Sequence, residues 1–127
     1  MTYNKDLIDS SEIISRFAYE SGYYRRDGTA RTKAFEPDRD NEVSVFRIDD
    51  LSDAELWALG DEAGSTRAKA AQASIWLSAQ AVSVVALRLD IAEPPPRHAA
   101  IRGWPEDHLR MQAQQTLASA AKVKLRP

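Results

Sequence analysis

The segment Leu51-Ser52-Asp53-Ala54-Glu55-Leu56 constrains this chain more than any other. Ser52 and Glu55 are spaced to satisfy each other's backbone N–H groups in a capping box, while Leu51 and Leu56 hold the two positions of a hydrophobic staple. The spacing predicts a helix that turns Leu56, Trp57 and Leu59 toward the core and ends near Gly60 or Gly64, whichever supplies a left-handed cap. Just before it, Val43-Ser44-Val45-Phe46-Arg47-Ile48 is β-branched and aromatic and lies between acidic turn formers, so it reads as a strand. Alternation sets Val43, Val45 and Arg47 on one face and Ser44, Phe46 and Ile48 on the other. An arginine sharing a face with two valines either snorkels at the sheet edge or is held in a partly buried ion pair.

Other segments extend the pattern. Ser10 to Tyr19 fits a short helix or a strand, and periodicity over so short a run leaves both open. Asp27-Gly28 turns the chain. Lys33 to Pro37 reads as a short extended piece, followed by a polar connection from Asp38 to Glu42. A second helix is predicted from Ala68 to about Val82, with Ile75, Ala79 and Val82 along one side. Val84 to Ile91 and His98 to Arg102 read as strands. Trp104-Pro105-Glu106-Asp107 opens a last helix, since proline and acidic residues suit a first turn, and Leu109, Ala113, Leu117 and Ala121 form its apolar stripe. Val123 and Leu125 alternate with Lys122, Lys124 and Arg126, as in a short edge strand. Trp57 and Trp76 are expected in the core. The expected class is α+β: a small, mostly antiparallel sheet packed against two or three helices in a single layer. Residues 1–127 form one globular domain, with 1–10 loosely ordered.

A chain of 127 residues that is 43% hydrophobic and 28% charged can bury roughly two thirds of its unfolded surface without a metal or disulfide. It has no cysteine, which removes disulfide frameworks, thiolate zinc sites and cysteine nucleophiles together. A net charge of −2 does not announce a polyanionic partner. No signal-length apolar run opens the chain and no segment reaches the length of a membrane span, so a cytoplasmic protein without membrane contact is expected. Gly-x-Gly-x-x-Gly, the Walker loop, Gly-x-Ser-x-Gly and His-Glu-x-x-His are all missing, and no cofactor is implied. His98 and His108 lack metal-ligand spacing, so no metal site is expected.

Candidate site residues cluster in Glu93-Pro94-Pro95-Pro96-Arg97-His98-Ala99-Ala100-Ile101-Arg102-Gly103-Trp104-Pro105. A proline run favours a stiff extended helix, which would present His98 with little entropy left to lose. His98 is a candidate general acid or base, or a donor to a bound anion; the plainer alternative is a strand histidine satisfied by a backbone carbonyl. Arg47, Arg16 and Lys33 are expected to converge with it into a cationic pocket, with Arg102 beside it; otherwise each is an ion-pair partner. Trp104 either plugs a strand–helix gap or stands exposed as a binding anchor. Between Tyr23 and Lys33, four cations and one anion sit beside two aromatics. That mixture can stack bases and neutralise phosphates, but it also suits a solvated loop, so nucleic acid is a weakly supported partner.

Ala34-Phe35-Glu36-Pro37, Val43 to Arg47, Leu51 to Gly60 and His98 to Pro105 together resemble a group of small uncharacterised bacterial proteins. The resemblance runs from about Arg16 to the C-terminus, implies a stand-alone bacterial domain and transfers no catalytic residue. Two functions are expected. The first is a non-enzymatic binding or accessory domain that contacts a protein encoded nearby or an anionic ligand. The alternative is a small metal-independent nucleotide- or RNA-directed enzyme or toxin, with His98 as acid/base and Arg47 stabilising phosphate charge.

Overall fold

The computed structural model describes residues 3–65 and 68–127. Six strands, β1 (Ile13–Ala18), β2 (Val43–Arg47), β3 (Ala73–Ser78), β4 (Arg88–Ile91), β5 (His98–Arg102) and β6 (Lys122–Leu125), form one antiparallel sheet in the order β4-β5-β2-β1-β3-β6. Three helices, α1 (Asp53–Ala63), α2 (Ala79–Val84) and α3 (Asp107–Ala120), complete the α+β fold. Alternation on the strands gives the sheet two different faces. Ile14, Val45, Ile75 and Ile101 form one core with Val82 of α2 and Leu117 of α3. Phe17 and Phe46, one position away from Ala18 and Val45, point the other way and bury Leu56 and Trp57 of α1. The helices are therefore divided between the two faces rather than gathered in one layer, because the aromatic pair makes a second apolar patch that needs its own cover.

The stapled helix forms as expected. The Glu55 N–H donates to Ser52 Oγ at 3.2 Å, and the Ser52 N–H donates to Glu55 Oε1 at 3.0 Å. The Ser52 backbone N–H, and after it the Ser52 side chain, hold the Glu55 carboxyl below its usual range. The end of the helix differs: Gly64 is its C-cap but has φ −89°, not a left-handed value. Glycine is required there because a Cβ would lie 2.4 Å from the Tyr19 ring and 2.6 Å from the Lys69 carbonyl.

Five other expectations are corrected. Within the helix expected over 68–82, Ala73–Ser78 is β3, which pairs with β1 along its whole length from Ile13↔Ser78 to Ala18↔Ala73, and the helical part is confined to Ala79–Val84. Sheet pairing overrides alanine's helix propensity, and the Ile75-Trp76-Leu77 run supplies the β preference. The stretch Thr32–Phe35 is a 3₁₀ turn that buries Ala34 and Phe35, not an extended piece. The prolines close the β4–β5 hairpin instead of extending. The His98 N–H donates to the Pro95 carbonyl, the Ala92 N–H donates to the His98 carbonyl, and the Glu93–Pro94 and Pro94–Pro95 bonds are cis. In the final helix Ala113, Leu117 and Ala121 are buried as expected, but Leu109 in the first turn is exposed. Trp57 is buried, whereas Trp76 is half-buried beneath Lys122.

The N-terminal segment, expected to be loose, carries a specific tie. The Tyr3 ring lies 4.4 Å from the guanidinium carbons of both Arg47 and Arg97, and its hydroxyl donates to Glu93. Burial is the main cause holding the Tyr3 phenol above its usual range, followed by the Glu93 bond. Residues 1 and 2 of that segment lie outside the described residues.

Candidate functional site

Register decides which cations reach His98. In the β2–β5 ladder Phe46 lies opposite His98, so the two rings share a face, with centroids 5.3 Å apart. Arg47, the next residue, points through the sheet to the other side. There it is fully buried: Nε donates to Glu12 Oε2 at 2.5 Å, Nη2 donates to Glu12 Oε1 at 2.9 Å and to the Leu7 carbonyl at 2.9 Å, and Nη1 has no partner among the described residues. The expected convergence of Arg47 with His98 on a solvent-reachable wall therefore does not occur. The alternative of a buried ion pair does, with Glu12, which the sequence had not singled out.

What His98 does face is a cleft of about 490 Å³. Phe17 and Phe46 line it on the sheet, Leu59, Glu62 and Ala63 on α1, and Pro95 and Pro96 on the hairpin loop; Arg16, Tyr19 and Ser44 also reach it. β1 and β2 pair only at Ile14↔Arg47 and Ser15↔Phe46. Arg16 fills the gap where they part: Nε donates to the Ala34 carbonyl and Nη1 to the Ser44 carbonyl, each at 3.1 Å. The guanidinium also lies 5.7 Å from the Tyr23 ring centroid, which Lys33 approaches at 5.8 Å. Arg16 and His98 thus line the same cleft, while Lys33 meets Arg16 across the Tyr23 ring.

The imidazole is oriented by its surroundings. Nδ1 lies 2.9 Å from the Ala92 carbonyl, an oxygen that can only accept, so Nδ1 carries a proton. Nε2 has no hydrogen-bond partner among the described residues, and it is the nitrogen left for a ligand. The plain expectation of a histidine satisfied by a backbone carbonyl is met at Nδ1 alone. Tyr19 fixes the α1 wall by donating from its hydroxyl to the Gly60 carbonyl at 2.8 Å.

The remaining candidates sit elsewhere. Arg102 shares the face of His98 but is engaged by Glu42 at 2.8 Å and Asp90 at 3.4 Å. Its pKa is raised, chiefly by the Glu42 bond. Trp104 is 5% exposed, with Nε1 donating to the Ile101 carbonyl at 2.9 Å, so it plugs the strand–helix corner and is not an exposed anchor. Arg97, beside His98, donates to both carboxylate oxygens of Asp50, at 2.7 and 3.2 Å, and this bond is the main reason the Asp50 carboxyl is held below its usual range. Among the described residues no group of three or more His, Cys, Asp or Glu side chains gathers to hold a metal, and no helix is long and apolar enough to cross a membrane. Alternation sets Phe46 on the face opposite Arg47, but only register brings it to His98; nothing in the sequence marks Glu62 or Tyr19. No protein-family model, curated protein or solved structure matches this chain.

Proposed function

We propose that this chain is a non-enzymatic binding domain that takes an anionic ligand with an apolar body into the cleft beside His98. One observation carries the reading: a histidine with Nδ1 pinned to a backbone carbonyl lines an apolar-walled cleft that Arg16 also lines. Apolar walls with a few convergent polar groups are the usual makeup of a small-molecule site. In this reading Phe46, Leu59 and Pro96 cover the body of the ligand, Arg16 attracts its anionic head, and His98, as the imidazolium, donates to that head from Nε2. The wider setting, an accessory protein acting beside a partner encoded nearby in a bacterium, rests on the resemblance of its segments alone.

Phenyl phosphate, which joins an anionic head to a flat apolar body, is a direct probe. Titration up to about 10 mM, a range that detects millimolar affinity, should move the amide resonances of Ser44, Phe46, His98 and Ala63 along one saturable curve. Inorganic phosphate or phenol alone should move them less, and His98→Ala should abolish saturation. Shifts confined to other surfaces, or no saturable shift, would refute the reading.

A second reading uses the same Nε2 in the neutral form of the ring: metal-independent cleavage of a nucleotide or RNA with His98 as base. Because Arg47 is sealed behind the sheet, the cation in that scheme is Arg16. Turnover of a mixed-sequence RNA that His98→Ala abolishes while the fold stays intact would select it over simple binding.

A further inference from the structure

The two ends of the sheet are treated differently. At the β6 end the Val123 N–H donates to the Gly28 carbonyl at 3.1 Å, and the strand carries Lys122 and Lys124, a common way to discourage further pairing. The β4 end has neither device. Ladder spacing fixes which of its groups are spent. The Ala92 N–H donates to the His98 carbonyl, so Arg88, Asp90 and Ala92 make the inward bonds to β5, and Leu89 and Ile91 direct their N–H and C=O groups away from it. None of the described residues bonds those outward groups.

We infer that β4 is a self-pairing edge, and that two copies of this chain join antiparallel through it about a two-fold axis at Leu89. Charge selects this occupant and this register. Cross-strand partners must lie on the same face of the sheet, so the registers that suit β4 against itself are those centred on Leu89 or on Asp90. Centring on Asp90 sets two carboxylates against each other. Centring on Leu89 sets Arg88 of each copy opposite Asp90 of the other and pairs Leu89 with Leu89, in a position where both residues exchange N–H···O bonds. Each Ile91 N–H then reaches the Leu87 carbonyl of the second copy. Within one copy Arg88 and Asp90 already meet at 3.1 Å on the exposed face, with the Arg88 side chain 65% exposed, so the cation can turn to the second copy without unburying anything. The edge thus matches its own two-fold image in charge. A two-fold contact of one surface with itself is the commonest route to a homodimer. The pairing does not involve the cleft, so the two proposals stand or fall separately.

Sedimentation velocity over about 5–200 µM, a range that brackets micromolar self-association, should show a reversible monomer–dimer equilibrium. Arg88→Asp puts like charges opposite each other twice in the dimer, and so does Asp90→Arg; each should weaken association at least about tenfold. An equimolar mixture of the two variants restores both opposite-charge pairs and should recover a dimer that neither forms alone. A wild-type chain that stays monomeric through 200 µM would overturn the inference, as would a dimer indifferent to Arg88→Asp. Should Asp90→Arg fail to fold, the exposed Arg88→Asp variant decides the question by itself.

Discussion

Removing the charge on Glu12 tests the packing logic most sharply. Glu12 is 5% exposed and Arg47 is 0% exposed, and two bonds of 2.5 and 2.9 Å join them. In Glu12→Gln the guanidinium keeps its charge, because arginine does not deprotonate in proteins. It retains the Leu7 carbonyl and the Tyr3 ring, and Nη1 is already without a partner. Breaking a buried pair from one side costs about 3–5 kcal/mol. A domain of this size has about 5–15 kcal/mol in total, so the variant should lose a large share of its stability. At about 4 °C per kcal/mol, intermediate between smaller and larger domains, the melting temperature should fall by roughly 12 °C or more. Replacing both partners, as Glu12→Leu with Arg47→Met, removes the stranded charge. It should return the stability to within about 1–2 kcal/mol of wild type, the shortfall including the lost Tyr3 stacking. Urea unfolding followed by tryptophan fluorescence suits the measurement, since Trp57 and Trp104 are buried. A Glu12→Gln variant within about 1 kcal/mol of wild type would refute the reasoning, because the pair would then behave as a solvated surface bridge. So would a double variant less stable than the single.

Two further outcomes follow from local geometry. A Cβ on Gly60 would lie 2.8 Å from the Phe17 ring and 2.9 Å from the Ala71 methyl, so overpacking of about 1–3 kcal/mol should outweigh the gain of about 1 kcal/mol in helix propensity. Gly60→Ala should therefore lower the urea midpoint, and a raised midpoint would contradict the contact. Arg126, through bonds of 2.6 and 2.9 Å, and then the Ala71 N–H hold the Asp61 carboxyl below its usual range. Such a group adds stability that is fully present above the unfolded carboxyl value of about 3.9 and is lost as pH falls through the lower folded value. The drop in urea midpoint between roughly pH 5 and pH 2 should be shallower in Asp61→Asn than in wild type; an equal drop would show that the bridge contributes nothing.

Local chemistry was the legible part of this sequence. Ser52 and Glu55 specify a helix start within four residues, and Val43 to Arg47 specifies a strand within five, so both could be read directly. Alternation also placed Arg47 among valines and raised the possibility of a buried ion pair, but its partner lies 35 positions earlier, in a segment that read equally as helix or strand. β3 was hidden for a related reason. Ala71 packs closely against Gly60, and an alanine held by a tight contact looks the same in sequence as one selected for helix propensity. At the cleft, the proline run singled out His98, but the residues that surround it could not be read from the sequence. Arg16 lies two positions after Ile14, the partner of Arg47, and so shares the Arg47 face; it reaches the cleft where β1 and β2 part, and that parting is set by pairing between strands far apart in the chain.

That long-range pairing has a kinetic side. β1 sits at the middle of the sheet, yet its longest ladder is with β3, and Ser15 Oγ meets Ser74 Oγ across a sequence gap of 59 residues. Only β4 and β5 make a local hairpin. A chain still emerging from the ribosome has no strand to finish its centre until β3 has been made, and must keep Phe17, Phe46 and Ile14 from foreign contacts until then. Topologies of this kind fold slowly for their size, and the delay falls on the sheet's most apolar strands.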